Sequence, residues 1–542
     1  MEDWDWILTD FSTVIPEKQV SRKALPGVWQ LSDYTTPEFS GKAVFANPLT
    51  GAPEIRITLP LKGRYDIFVG LWHNYCDRIK LKLGSDPCFE RLTHSPALRG
   101  VVIEEVWWRT ADLDGKETLH IKQSDNMRAC IAFIIARKAD NHTEPKKEYL
   151  LHITDDGLPS NWGIPEDMED TCWNVRPATR LRADYISRGT NPTTMADYNT
   201  RHESLRRNYE EMLKYVYPDE IYRQIYVNLA RYEKEGFCVP ERYFALAREC
   251  GMKPFVYLRM SMYHASPPWT CFFSRFYDEH PEFHCIDIDG IPVNRASFAF
   301  PQTRAEMLKL FTEGIEMGAE GVTDCFVRGF PFVLYEEPVK QRFKELFGAD
   351  ITKFPEDAPE VCRVRAEFMN TFMREQRKAI DEASKGRKPE VMAVVHSDRK
   401  ACLFYGLDVE AWVKEGLVDI LCPYTWGIEA KPTEIDTGYF ADVVKGSNVK
   451  LLPFLGSLYD DKNPVNILGR ALQMCEYPID GFSFWDGVDN RTNPLFQRVI
   501  SSLISKDEIR RAMNDLKTWP KHYPVLTQDG TKVNKHHFGL SM

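Results

Sequence analysis

Residues 321–331 read GVTDCFVRGFP. The valines, cysteine and phenylalanine are those of a buried strand, yet Asp324 and Arg328 interrupt them. Residues two apart on a strand share a face, so Val322, Asp324, Phe326 and Arg328 are expected on one side and Thr323, Cys325 and Val327 on the other. The second set is small and mostly apolar, as packing against a helix requires. The first carries an acid and a base toward whatever lies opposite.

Outward from this stretch the chain alternates apolar runs with amphipathic ones. The strands are read as YLLHITDD (149–156), RQIYVNLARY (223–232), KPFVYLRMS (253–261), GVTDCFVRG (321–329), EVMAVVHS (390–397), VDILCPYTW (418–426), KLLPFLGSLY (450–459) and DGFSFWDG (480–487). Segments such as PERYFALAREC, TRAEMLKLFTEGIEMG and NILGRALQMCE lie between them with helical periodicity. Repeated strand–helix alternation makes an α/β fold, a (β/α)8 TIM barrel, the economical reading of 149–519. In such a barrel one strand face fills the interior, and sites form at the C-terminal strand ends. Asp324 and Arg328 are therefore expected to point inward, with Arg328 nearer the rim.

Residues 1–138 differ. Short alternating runs such as EIRITLPL, RIKLKLG and TLHIKQS, broken by turns, predict an N-terminal antiparallel β-sandwich. The polar stretch ADNHTEPKKE (139–148) is the expected linker, and 520–542 is expected to be a C-terminal tail or a hairpin around Asp529-Gly530.

The composition, 43% hydrophobic and 27% charged, is that of a globular protein, and a net charge of −10 argues against nucleic-acid or anionic-membrane partners. No run approaches the roughly 18 apolar residues of a membrane span. The acidic start MEDWDWILTD lacks a signal peptide's basic and apolar regions, and the 13 cysteines are scattered without CxxC pairs. Together these lead to the expectation of a cytoplasmic protein with reduced thiols. A homo-oligomer is possible.

Four passages, in order, resemble glycosyl-hydrolase-like barrel proteins, close to glycosyl-hydrolase-like family ten. EGVTDCFVRGFP (320–331) is similar to the family's fourth-strand pattern DGI-x-x-D-x-x-R-x-P, with Glu320 in place of its first aspartate. FMREQRKAIDEASKGRKPEV, EAWVKEGLVDILCPYTW and RALQMCEYPIDGFSFWDG resemble its later helix–strand passages. The N-terminal region resembles, in general terms, the jelly-roll modules attached to carbohydrate-active enzymes. The resemblance implies a glycoside hydrolase acting on an oligo- or polysaccharide. By analogy with retaining glycosidases on this fold, it implies that Asp324 faces the anomeric centre.

Glycosidic cleavage needs a proton donor for the leaving oxygen and a carboxylate facing an oxocarbenium-like centre. Asp324 is the first candidate, unless it only pairs with Arg328. Asp398 and Glu429 are the candidate acids, with a helix N-cap or solvated loop as the plainer role for each. Asp155, Asp156, Arg259, Arg328, His396, Tyr424, Trp426, Trp485 and Asp486 are expected to bind hydroxyls or stack on sugar faces. No metal or cofactor is expected. The first strand offers HITDD with a single histidine, and neither GxGxxG nor a phosphate loop is present. The alternative is a degenerate barrel that binds carbohydrate without cleaving it.

Overall fold

The computed structural model describes residues 4–533 except 74, 96–100, 125–126, 140–145, 158–171, 173–174, 192–194, 218–219, 426–434, 458–464, 486–493 and 516–520. From residue 150 the chain forms one parallel sheet of nine strands. They are β1 (Leu150–Asp155), β2 (Tyr185–Gly189), β3 (Lys253–Arg259), β4 (Gly321–Cys325), β5 (Glu390–Val395), β6 (Ile420–Pro423), β7 (Lys450–Leu451), β8 (Phe454–Ser457) and β9 (Gly481–Trp485). Their order in the sheet is β7-β6-β5-β4-β3-β2-β1-β9-β8.

Strands β7 and β8 divide one passage, interrupted at Leu452 and Pro453, because proline has no N–H for the ladder. Leu452 N donates to Leu421 O at 2.9 Å on one side, and Ser483 N donates to Pro453 O at 3.0 Å on the other. The sheet thus curls until residues 450–457 hydrogen-bond to both of its ends.

The helices that bear on the site are α1 (Glu220–Glu235), α2 (Val239–Glu249), α3 (Pro301–Glu316), α4 (Pro359–Ala383) and α5 (Arg399–Phe404). Proline opens α3 and α4, where a missing N–H costs no intrahelical bond. The outer face of the sheet packs on this layer. A Cβ at Gly314 of α3, for example, would collide with Val256 of β3.

The expected second strand is corrected. RQIYVNLARY lies within α1, and its buried residues Ile225, Tyr226, Leu229 and Tyr232 follow a helical spacing. The true second strand is the short YISRG, whose Arg188 disguised it.

A buried polar chain marks the inner face. His152 Nδ1 lies 2.8 Å from Ser483 Oγ and its Nε2 2.8 Å from Ser187 Oγ, and Ser187 Oγ lies 2.7 Å from Thr323 Oγ1. Ser187 and Thr323 belong to strands separated by β3, so they meet across the concave side.

The N-terminal region forms antiparallel sheets around a separate apolar core that includes Trp29, Trp72, Trp108 and Phe133. Strand 102–114 pairs with 62–72 on one side and with 522–524 on the other. Thr527–Gln528 and Thr531–Lys532 pair as a hairpin, turning through Asp529 and Gly530, both at positive φ. The Asp529 carboxylate accepts from Asp33 N at 2.8 Å and Ser32 Oγ at 2.9 Å, which fixes that turn against strand 29–35. Residues 522–532 are therefore built into the sheets formed by the N-terminal region. Arg176 and Asp86, 2.7 Å apart, join this region to the parallel sheet, as does the bond from Arg180 Nη1 to Trp108 O.

Candidate functional site

The pleat of β4 places its side chains opposite to the sequence expectation. Thr323 faces inward, so Asp324 faces outward. Its Oδ1 accepts from Gln376 Nε2 of α4 at 2.6 Å, and the carboxyl is completely buried. Burial pushes it up to about 7, against the pull of Gln376 and Arg377. The expectation of an inward-facing Asp324 is corrected, and its alternative, a pair with Arg328, is not what forms: Asp324 bonds to Gln376.

Arg328 does reach the inner rim, by another route. The strand stops at Cys325, and Phe326–Arg328 form a 3₁₀ turn that releases Arg328 from strand alternation. Arg328 Nη2 lies 3.9 Å from Asp156 Oδ2, and its guanidinium stands 5.5 Å from the centre of the Trp485 ring.

Asp156 is the centre of this cluster. It follows β1, and its Oδ1 accepts from Arg259 Nε at 3.3 Å while Oδ2 accepts from Arg259 Nη2. Burial pulls the Arg259 guanidinium down, but Asp156 more than offsets this and raises it above its ordinary value. Arg259 shares the inner face of β3 with Phe255 and Tyr257. The turn after Asp156 depends on Gly157, at φ 84°, where a Cβ would collide with the Gly189 carbonyl.

The floor is aromatic. Tyr257 meets Trp485 edge-on at 5.3 Å, Tyr424 meets it at 5.5 Å, and Tyr424 lies 3.9 Å from Phe454. Ring contacts between β3 and β9, which are separated by two strands, require the concave side of the sheet. Beside Tyr257, burial pushes the Cys325 thiol up to about 12, so it is a neutral wall residue. His396 follows β5 and lies between Tyr405 (4.7 Å) and Phe330 (5.3 Å). Burial lowers it to about 4 despite the nearby Asp398, so the imidazole is neutral at pH 7.

Two expected residues have other placements. Asp155 faces outward, accepting from Gly157 N at 3.0 Å beside the buried Arg188 at 3.5 Å, and so secures the turn that carries Asp156. Asp398 is the N-cap of α5 and accepts from Ala401 N at 2.9 Å. Trp426, Glu429 and Asp486 lie outside the described residues. Tyr257, Phe454, Phe330 and Tyr405 were not among the sequence candidates. Strand alternation from Arg259 would have found Tyr257, but the others depend on the tertiary fold.

The rim thus brings together a carboxylate, two guanidiniums and a set of aromatic faces, and carries a neutral imidazole between two further rings at the end of β5. Such a set can orient hydroxyls with charge-assisted hydrogen bonds and cover an apolar C–H face.

No known family's sequence profile matches the chain, and no curated protein matches it. Solved structures do resemble it. The PgaB (BpsB) glycoside hydrolase domain from Bordetella bronchiseptica aligns at TM-score 0.45 and 10% identity, over 66% of this chain and 99% of that one. The β-amylase catalytic domain from Paenibacillus polymyxa aligns at 0.42 and 9%, over 66% and 99%. TtGalA, an α-galactosidase from Thermus thermophilus, aligns at 0.36 and 9%, over 90% and 99%. At these scores and identities the likeness supports no inference about chemistry.

Proposed function

We propose that the protein is a glycoside hydrolase whose site is the inner rim around Asp156. In this reading residues 149–519 are the (β/α)8 barrel that carries the site, and 1–138 are an accessory β-sandwich. The observation that carries it is the meeting of Asp156, Arg259, Arg328, Tyr424 and Trp485 at the C-terminal strand ends. An ion-paired carboxylate offers negative charge and no proton, so Asp156 takes the role of facing the oxocarbenium-like centre. Arg259 holds it in place, Arg328 binds a hydroxyl, and Trp485 and Tyr424 receive the sugar face. The proton donor in this reading is Glu429, three residues beyond Trp426 in the sequence. The donor's proton goes to the leaving oxygen; water then adds its hydroxyl to the anomeric carbon and gives its remaining proton back to the donor, which is thereby reset. Asp324 and Asp398 keep the structural roles described above.

A second reading is favoured by one observation. Of the three expected catalytic carboxylates, Asp324 and Asp398 are occupied elsewhere. A rim with Asp156 alone would bind carbohydrate without cleaving it. Incubation with aryl glycosides and oligosaccharides, followed by product analysis, separates the two. Released sugar from wild type but not from Asp156→Asn supports the hydrolase, and saturable binding without product supports the binding protein.

A further inference from the structure

The N-terminal sheets bury a cluster, apart from the rim residues, that the proposed reaction does not use. Glu104, fully buried in strand 102–114, lies beside His73 at the end of strand 62–72 and His94 in the loop after strand 90–92. One donor atom from each of the three lies within 4.8 Å of the others. His73, only 2% exposed, places its Nε2 3.3 Å from Glu104 Oε2, an ion-pair contact without good hydrogen-bond geometry, and that nitrogen has no hydrogen bond to any other group among the described residues. The two imidazole rings are 3.9 Å apart, centre to centre.

The surroundings orient these groups as ligands. His94 Nδ1 lies 2.8 Å from Ser95 O. A carbonyl can only accept, so the Nδ1 carries the proton and Nε2 presents a lone pair. Ser95 also donates from N and Oγ to the two Glu104 oxygens, at 2.8 and 2.7 Å, which fixes the carboxylate. Outer hydrogen bonds of this kind accompany imidazole and carboxylate metal ligands. A third imidazole, His522, sits directly opposite Glu104 in the strand register, and its Nε2 is likewise buried without a hydrogen bond. A buried imidazole held only at ion-pair distance from a buried carboxylate, with a second imidazole nitrogen nearby that makes no hydrogen bond, leaves polar groups under-satisfied at a cost in free energy that a cation would recover.

We propose that His73, His94 and Glu104 bind a divalent transition metal of the zinc class. The 3.3 Å between His73 Nε2 and Glu104 Oε2 is the separation expected for two ligands about 2.0–2.1 Å from a tetrahedral zinc ion. Two imidazoles and one carboxylate suit zinc better than calcium or magnesium, which prefer oxygen ligands. The bound ion would clip together a strand end, a loop and the strand that receives the C-terminal segment.

The test uses the full chain, stripped with chelator and titrated calorimetrically with zinc chloride, with the melting temperature followed in parallel. Wild type is expected to take up one high-affinity zinc ion per chain and to melt at a higher temperature with it. His94→Gln, in a half-buried loop position that spares the fold, is expected to weaken that uptake by more than about a hundred-fold. His73→Gln is expected to do the same. His264→Gln alters a surface histidine paired with Asp278, and is expected to bind as wild type does. Absence of high-affinity uptake by wild type, or unchanged uptake by His94→Gln, overturns the proposal.

Discussion

The two ends of the parallel sheet use charge differently. At the N-terminal end, Glu390 accepts from Lys253 Nζ and from Lys450 Nζ, each at 2.8 Å, and Lys450 also donates to Tyr185 Oη at 2.8 Å. Side chains at the starts of β2, β3, β5 and β7 are thereby tied across the concave face, and among the described residues the ring contact that accompanies them is that of Tyr185 with Phe255. At the C-terminal end, Asp156 and Arg259 form an equally close pair, but they stand beside Arg328, Trp485 and Tyr424. One end is a fastening. The other combines charge, donors and ring faces as a sugar requires. In the proposed reading, the same kind of ion pair is structural at one end and functional at the other, according to what surrounds it.

Substitutions can break this comparison. Asp156→Asn should have the largest effect, lowering kcat/KM by about a thousand-fold in initial rates; it also leaves the Arg259 guanidinium without its counter-charge, so calorimetry should show a lower melting temperature and rates are compared where the variant is folded. Arg328→Ala should come next, raising KM about ten-fold through loss of a charge-assisted hydrogen bond to substrate. A wild-type KM for this variant would remove Arg328 from the site. At the opposite end, Glu390→Gln should leave activity intact and cost about 1 kcal/mol of stability by denaturant unfolding, since its lysine partners are partly exposed. Burial raises the Glu390 carboxyl, but the two lysines bring it below its ordinary value of 4.5. Its contribution is therefore present above that pH and lost as pH falls through the lower folded value. The pH dependence of this variant should be flatter in acid.

Asp324→Asn should likewise change the rate little, within about two-fold, because the carboxyl faces α4. Its signature is in stability. A folded value near 7, raised from 3.8, means that the buried acid favours the fold fully below 3.8 and loses that contribution as pH rises through 7. The asparagine variant should lack this decline, and calorimetry from pH 4 to 8 would detect it.

The alternation of strands and helices was legible because most strands carry continuous apolar runs. It failed at the second strand, where YISRG is short and charged, whereas IYVNLARY is apolar enough to pass for a strand despite its helical spacing. The site was legible by residue type but not by phase. Asp155 and Asp156 are adjacent acids on opposite faces, and nothing in HITDD says which one faces inward. The same one-residue ambiguity reversed Asp324. Arg328 came out at the rim because the strand ends early, an event set by tertiary packing.

The most direct test of the central claim is a side-by-side measurement of glycoside turnover by wild type, Asp156→Asn and Asp324→Asn on one panel of aryl glycosides and oligosaccharides. The account predicts turnover by wild type and Asp324→Asn at similar rates and a rate about a thousand-fold lower from Asp156→Asn. Turnover by Asp156→Asn at the wild-type rate, or its loss in Asp324→Asn with the fold intact, would contradict it.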